Sequence, residues 1–161
     1  MLTTSDAEIE CKDGLRLTGT FHIPERNPIA IVVIGDALGV PRRFYSKFSS
    51  YLAENGFVTL TFDYRGSGDS LDRHCGVKGF TLAQWGAQDI EAALGTAGKK
   101  FPGLPIHFLG HSCGGQLLGL APGSTQLASI ILIAATMPQA KFWAFPKNLG
   151  LWFLWQIVIP L

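Results

Sequence analysis

No histidine, aspartate or glutamate follows residue 112 of this 161-residue sequence; the last carboxylate is Glu91 and the last imidazole His111. The carboxylate and imidazole side chains that most often serve as general acid and base are therefore missing from everything beyond that point. Cysteine is scarce too. Cys11, Cys75 and Cys113 form an odd set with neither a C-x-x-C pair nor Cys/His zinc spacing, which speaks against a disulfide framework or a zinc site and for reduced thiols in a cytoplasmic setting. Charged residues make up only 16%, and Lys+Arg 13 against Asp+Glu 12 leaves net +1, too little surplus to draw nucleic acid. The opening MLTTSDAEIECKDG has no basic segment followed by an apolar run, so no secretory signal is expected. Nor is there an apolar run of the roughly 20 residues that a membrane helix needs.

What remains is a chain that is 47% hydrophobic and long enough to bury one core. Leu15, Leu17, Gly19, Phe21 and Ile23 alternate with Arg16, Thr18, Thr20 and His22, the period-two pattern of a half-buried strand, here antiparallel in character, with His22 on its polar face. Residues 29–34 and 57–62 are apolar on both faces, as parallel strands covered by helices must be. Between them Phe44, Phe48, Tyr51 and Leu52 recur at helical spacing, with Asn55-Gly56 as the stop. Thr81 and Gln84 form a capping box, and Leu82, Gly86, Ile90, Ala93, Leu94 and Ala97 follow as one face of small apolar residues, which predicts close packing. Residues 105–109 and 128–134 read as two further buried strands, separated by a helix that runs from Ser112 to Ala121-Pro122. Alternation of this kind predicts an α/β fold with a mainly parallel sheet and flanking helices.

Ser112 sits in Gly110-His111-Ser112-Cys113-Gly114, between a buried strand and a helix. A serine nucleophile must stand on a turn too tight for side chains two residues before and two after it, which is what Gly110 and Gly114 provide. The following helix then directs its free N–H groups at the reaction centre. The competing role is an ordinary serine N-cap. Gly66 and Gly68 do not make a dinucleotide fingerprint, because the third glycine is missing and the next helix starts only near Thr81. Their loop reads as structural, with Asp63 or Asp69 pairing with Arg65. No cofactor and no metal are expected.

The Gly-His-Ser-Cys-Gly-Gly elbow and the segment Asp63-Tyr-Arg-Gly-Ser-Gly-Asp-Ser70 resemble the α/β-hydrolase superfamily. Ala37-Leu-Gly-Val-Pro41, Phe62-Asp-Tyr-Arg65 and residues 110–120 are similar to bacterial hydrolases related to its serine aminopeptidase-like branch. The resemblance spans nearly the whole chain. It implies an oxyanion hole from the backbone N–H of Cys113 and from the loop Gly35-Asp-Ala-Leu-Gly39, with Ala37 the expected second donor. Asp36 is an odd neighbour there, since a fixed carboxylate would oppose a developing oxyanion; its side chain is expected to point away.

The family's chain order is Ser, then Asp or Glu, then His. Nothing after Ser112 can fill the last two places, and His22, His107 and His111 read as structural, which leaves only the loop residue His74 free to move. From Lys141 the chain becomes rich in aromatic residues, Trp143, Trp152 and Trp155 among them, where family members insert a lid; these side chains either line an apolar pocket or pack the lid on the core. Residues 1–140 are thus expected to be the N-terminal part of a hydrolase core, incomplete at its C-terminus, and 141–161 the start of a truncated lid. Three readings follow. The first is the nucleophile-bearing part of a serine hydrolase acting on a carboxylic ester, thioester or amide, inactive alone. The second is a non-catalytic remnant or small-molecule or protein binding module. A third attaches residues 149–161 to a membrane. In the first reading an unpaired apolar sheet edge near Ile130 would favour oligomers or aggregates.

Overall fold

The computed structural model describes residues 2–71, 79–135 and 144–153. Six strands form one sheet: β1 (Thr3–Glu10), β2 (Arg16–Ile23), β3 (Ala30–Gly35), β4 (Phe57–Phe62), β5 (Ile106–His111) and β6 (Ser129–Ile133), in the order β1-β2-β4-β3-β5-β6. The β1–β2 and β2–β4 ladders are antiparallel, and β4–β3, β3–β5 and β5–β6 are parallel. Every residue of β3 is buried, as its unbroken apolar run requires of a central strand covered on both faces.

Successive side chains of β3 feed two cores. Ile31 and Val33 join Leu60, Phe62, Phe108 and Ile90 on one face; Val32 and Ile34 join Tyr45 and Leu109 on the other. Burying each of these aliphatic side chains contributes roughly 1.5–3 kcal/mol. The first core is covered by helix α2, made of the α-turns Leu82–Gln84 and Glu91–Lys100 joined by the wide π-turn Trp85–Ile90. Thr81 Oγ1 accepts from the Gln84 N–H while Gln84 Oε1 accepts from the Thr81 N–H, the reciprocal cap that the sequence predicts. The small face of α2 packs closely: a Cβ at Gly86 would lie 2.6 Å from the Leu117 carbonyl oxygen.

Helix α1 (Ser46–Glu54) departs from expectation. Of Phe44, Phe48, Tyr51 and Leu52, Leu52 packs against the core beside Tyr45 and Leu109, whereas Tyr51 and, in the turn before the helix, Phe44 are 59% and 69% exposed; Ser49 and Ala53 are the buried residues of the helix. His22 is buried, not on a polar face, and burial holds its imidazole below the usual pKa. Strand β1 is not among the expected elements; only Ala7 and Ile9 of its eight residues are buried, so apolar alternation is confined to its second half.

Arg65 is also reassigned. It pairs with Asp89 (Nε to Oδ1 2.6 Å) and Asp13 (Nη1 to Oδ2 2.7 Å), while Asp63 and Asp69 both bind Arg42. Asp63 faces the turn Arg42–Tyr45 and Asp89 enters from α2, so Asp63 and Arg65 turn to different elements once the chain has left β4 at Phe62.

Strand β6 is the sheet edge, and its Ile130, Ile131, Leu132 and Ile133 are all about half exposed, 47–56%. A short helix α4 (Lys147–Phe153) lies in the aromatic segment, where Phe145, Trp152 and Phe153 are exposed. Trp143 and Trp155 fall outside the described residues, as do His74 and Cys75. Cys11 and Cys113 are free and buried. Among the described residues no helix is long and apolar enough to cross a membrane, and no cluster of potential metal ligands occurs.

Candidate active site

Ser112 lies between the end of β5 and helix α3 (Cys113–Leu117), which tightens into a 3-10 turn at Leu118–Leu120. The α-helical part is therefore shorter than the sequence suggests. Ser112 adopts φ 50°, ψ −114°, a region that non-glycine residues rarely occupy. Its side chain caps nothing, although its carbonyl accepts the first helical N–H groups, from Gly115 (3.1 Å) and Gln116 (3.2 Å). An N-cap serine has extended backbone and a hydroxyl bound to the second or third helical N–H. Ser112 has neither. The strained turn is held by the Ser112 N–H bond to the Ile133 carbonyl of β6 (2.8 Å) and by the absence of side chains around it. A Cβ on Gly110 would overlap the backbone of Gly115, and one on Gly114 would overlap the Gly35 carbonyl at the end of β3. Strands β3 and β5 are in register there, Gly35 opposite Gly110, so the loop after β3 is drawn against the elbow.

That loop carries Asp36 and Ala37. The N–H of Ala37 donates to Tyr45 Oη at 3.0 Å, and the same hydroxyl lies 2.9 Å from Nδ1 of His111. Burial, chiefly, pushes the Tyr45 phenol pKa up. Tyr45 was not singled out in the sequence; no spacing links it to residues 8 and 66 positions away. His111 therefore faces Tyr45, and His107 binds Ser129 Oγ on the neighbouring strand (2.7 Å). Cys113 is buried, and burial raises its thiol pKa, so it is a packed thiol beside the serine and not a thiolate.

Asp36 is buried, and among the described residues neither carboxyl oxygen has a hydrogen-bond partner. Burial first and the Asp63 charge second, against a smaller pull from Arg42, push its pKa up to about 9. At neutral pH it is a neutral acid. The opposition expected from a carboxylate at this loop does not arise, because the low-dielectric site keeps the proton on. A carboxyl raised from 3.8 to about 9 binds a proton that the unfolded chain has lost, so stability falls as pH rises between those values, by up to about 1.4 kcal/mol per pH unit. Asp36→Asn removes the titration. Thermal melts from pH 5 to 9 are expected to fall markedly less steeply in the variant than in the parent; parallel curves would show that Asp36 is ionised in the fold.

Residues 26–158 match the family described as serine aminopeptidase, S33. The chain belongs to this family. Like other S33 members it has the α/β-hydrolase fold, and solved structures agree: a thermostable carboxyl esterase from Bacillus coagulans superposes with a TM-score of 0.71 over 82% of this chain and 44% of its own, at 21% identity. A lipase in its open form gives 0.69, at 20% identity, over 94% of this chain and 51% of its own. In sequence, this S33 chain is 27% identical over 124 residues to monoglyceride lipase of Rattus norvegicus and 26% identical to that of Homo sapiens, which covers 76% of this chain and 40% of each lipase. The chain thus spans less than half the length of the monoglyceride lipases and about half that of the open-form lipase.

Proposed function

We propose that this chain carries the nucleophile of a serine hydrolase and that its substrate is a small acyl compound, a carboxylic ester, thioester or amide. The observation that carries the reading is the backbone of Ser112, strained and uncapping, between glycines that nothing larger could replace. Esters are the favoured class, since the curated relatives are lipases. In the reaction Ser112 Oγ bonds to the acyl carbon, the carbonyl π pair moves onto oxygen, and a general base takes the hydroxyl proton; collapse of the tetrahedral species expels the alcohol, thiol or amine, and water releases the acid. The oxyanion would be held by the Cys113 N–H and by the loop around Ala37. The base and its carboxylate partner come from outside residues 113–161, which contain no His, Asp or Glu. Residues 1–140 form the core and 141–161 begin a lid in this reading, at a cytoplasmic address.

That same lack favours a second reading, a binding module that keeps the fold without the chemistry. A substrate panel separates them. The natural polypeptide that carries these residues is expected to hydrolyse short p-nitrophenyl esters and monoacylglycerols, and aminoacyl anilides more slowly. Turnover of none of these, with retained binding of an acyl compound, would establish the binding module.

A further inference from the structure

The second oxyanion donor that the resemblance implies is already engaged. The Ala37 N–H spends its proton on Tyr45 Oη at 3.0 Å, and a backbone N–H has only one to give. An acyl oxygen arriving at this loop must therefore either displace a buried tyrosine or be met by the tyrosine itself. Displacement would take from Tyr45 Oη the bond that Ala37 gives it in the interior, and a buried polar group that loses a partner is destabilising.

A phenol can accept two hydrogen bonds and donate one. Tyr45 Oη has Ala37 N–H on one side and His111 Nδ1 at 2.9 Å on another. If both donate to it, the phenolic proton is left for a third partner, and two accepted bonds make that proton a stronger donor. Tyr45 ends the turn Arg42–Tyr45, whose Arg42 is fastened by its backbone N–H and its guanidinium to Asp63, and its ring packs edge-on against His111, one residue from Ser112. The hydroxyl is thus fixed by two strand-end loops and the elbow. Resting on the acyl-transfer reading above, we propose that the Tyr45 hydroxyl, backed by the Ala37 amide and by His111 Nδ1–H, is the second donor to the oxyanion formed when Ser112 attacks an acyl carbon. Ala37 and His111 are then positioning residues, and Tyr45 is the catalytic one. In the step, the electron pair that leaves the C=O bond settles on oxygen against the Tyr45 O–H and the Cys113 N–H; no proton transfers to or from Tyr45.

The arrangement fixes a tautomer. His111 must carry its proton on Nδ1, so in the chain labelled with 15N-histidine the Nδ1 resonance of His111 is expected in the protonated range between pH 7 and 8.5. An Nε2–H tautomer with a bare Nδ1 means that the phenol spends its proton on His111, and overturns the proposal whether or not turnover is observed. Kinetics of the natural polypeptide give the second arm. Tyr45→Phe is expected to lower kcat on a p-nitrophenyl ester by roughly 10²–10³-fold with KM nearly unchanged, the loss seen when one oxyanion donor is removed. A loss under about twofold overturns the role of Tyr45 while Ser112→Ala still abolishes turnover; if Ser112→Ala leaves turnover intact, the acyl-transfer reading itself has failed. Should Tyr45→Phe not fold, 3-fluorotyrosine at position 45 keeps the shape and acidifies the phenol, and a shift of the alkaline limb of the kcat–pH profile to lower pH is expected. An unchanged profile overturns the proposal.

Discussion

Replacement of Ser112 by alanine is expected to reduce ester hydrolysis by the natural polypeptide to background, a loss on the order of 10⁴-fold or more, with little change in stability. Removing a nucleophile that acts in concert with its base eliminates nearly all that the group of residues supplies, so the loss is not divisible among the partners. Stability should hold or rise slightly. The Ser112 hydroxyl caps nothing, and alanine keeps the Cβ that the turn at φ 50° already accommodates. Cysteine at the same position is the informative companion: it keeps a nucleophile in the same frame, so residual turnover or labelling by a thiol reagent at position 112 is expected. A Ser112→Ala variant with more than a tenth of parental activity would place the chemistry elsewhere.

Asp89→Ala is expected to cost about 3–5 kcal/mol, enough to unfold much of a chain whose whole stability is of order 5–15 kcal/mol. Asp89 is fully buried, and it accepts from the Arg65 backbone N–H (2.9 Å), from Arg65 Nε (2.6 Å) and from Cys11 Sγ (3.6 Å). Burial pushes the Asp89 carboxyl above its ordinary pKa while Arg65 pulls it back, and the same burial with the Asp89 charge beside it drives the Cys11 thiol up to about 12. Without Asp89 a guanidinium that is itself 1% exposed keeps, among the described residues, Asp13 as its one carboxylate partner, and that side chain is 38% exposed. The removed carboxylate is small; the stranded charge is what destabilises. Two comparisons give the prediction its sign. Asp69→Ala, which breaks a pair whose carboxylate is 63% exposed, should cost under about 1 kcal/mol. Joint replacement of Arg65 by Met and Asp89 by Leu should be milder than Asp89→Ala alone, because neither charge is then left buried. Urea unfolding of the four proteins measures all three differences, and an Asp89→Ala cost below about 1 kcal/mol would contradict the network.

The parallel core was legible because burial on both faces leaves a plain mark: β3 reads as a continuous apolar run, β4 as one interrupted only by Thr59 and Thr61, and the cap of α2 is two residues at fixed spacing. The strand–turn–helix frame around Ser112 was legible for the same reason, since the glycines answer a local steric demand. Strand β1 was not, because an edge strand with two buried side chains needs little apolar alternation. Arg65 was assigned to the wrong carboxylates because its own segment offers two aspartates, and only the fold shows that these turn toward Arg42 while Asp89, 24 residues on, turns toward Arg65. The stripe on α1 misled because helical spacing says which residues share a face and not which face the sheet takes. The charge state of Asp36 and the bond between Ala37 and Tyr45 depend on burial and on contact between loops; neither has a signature in local sequence.

Labelling with a fluorophosphonate reports on the nucleophile without assuming any substrate. Treated with such a probe and digested, the natural polypeptide that carries these residues is expected to yield one phosphonylated peptide, with the adduct on Ser112 and none in Ser112→Ala. An adduct on another side chain that persists in Ser112→Ala, or no adduct in a polypeptide that hydrolyses esters, would contradict the assignment of Ser112 as the nucleophile.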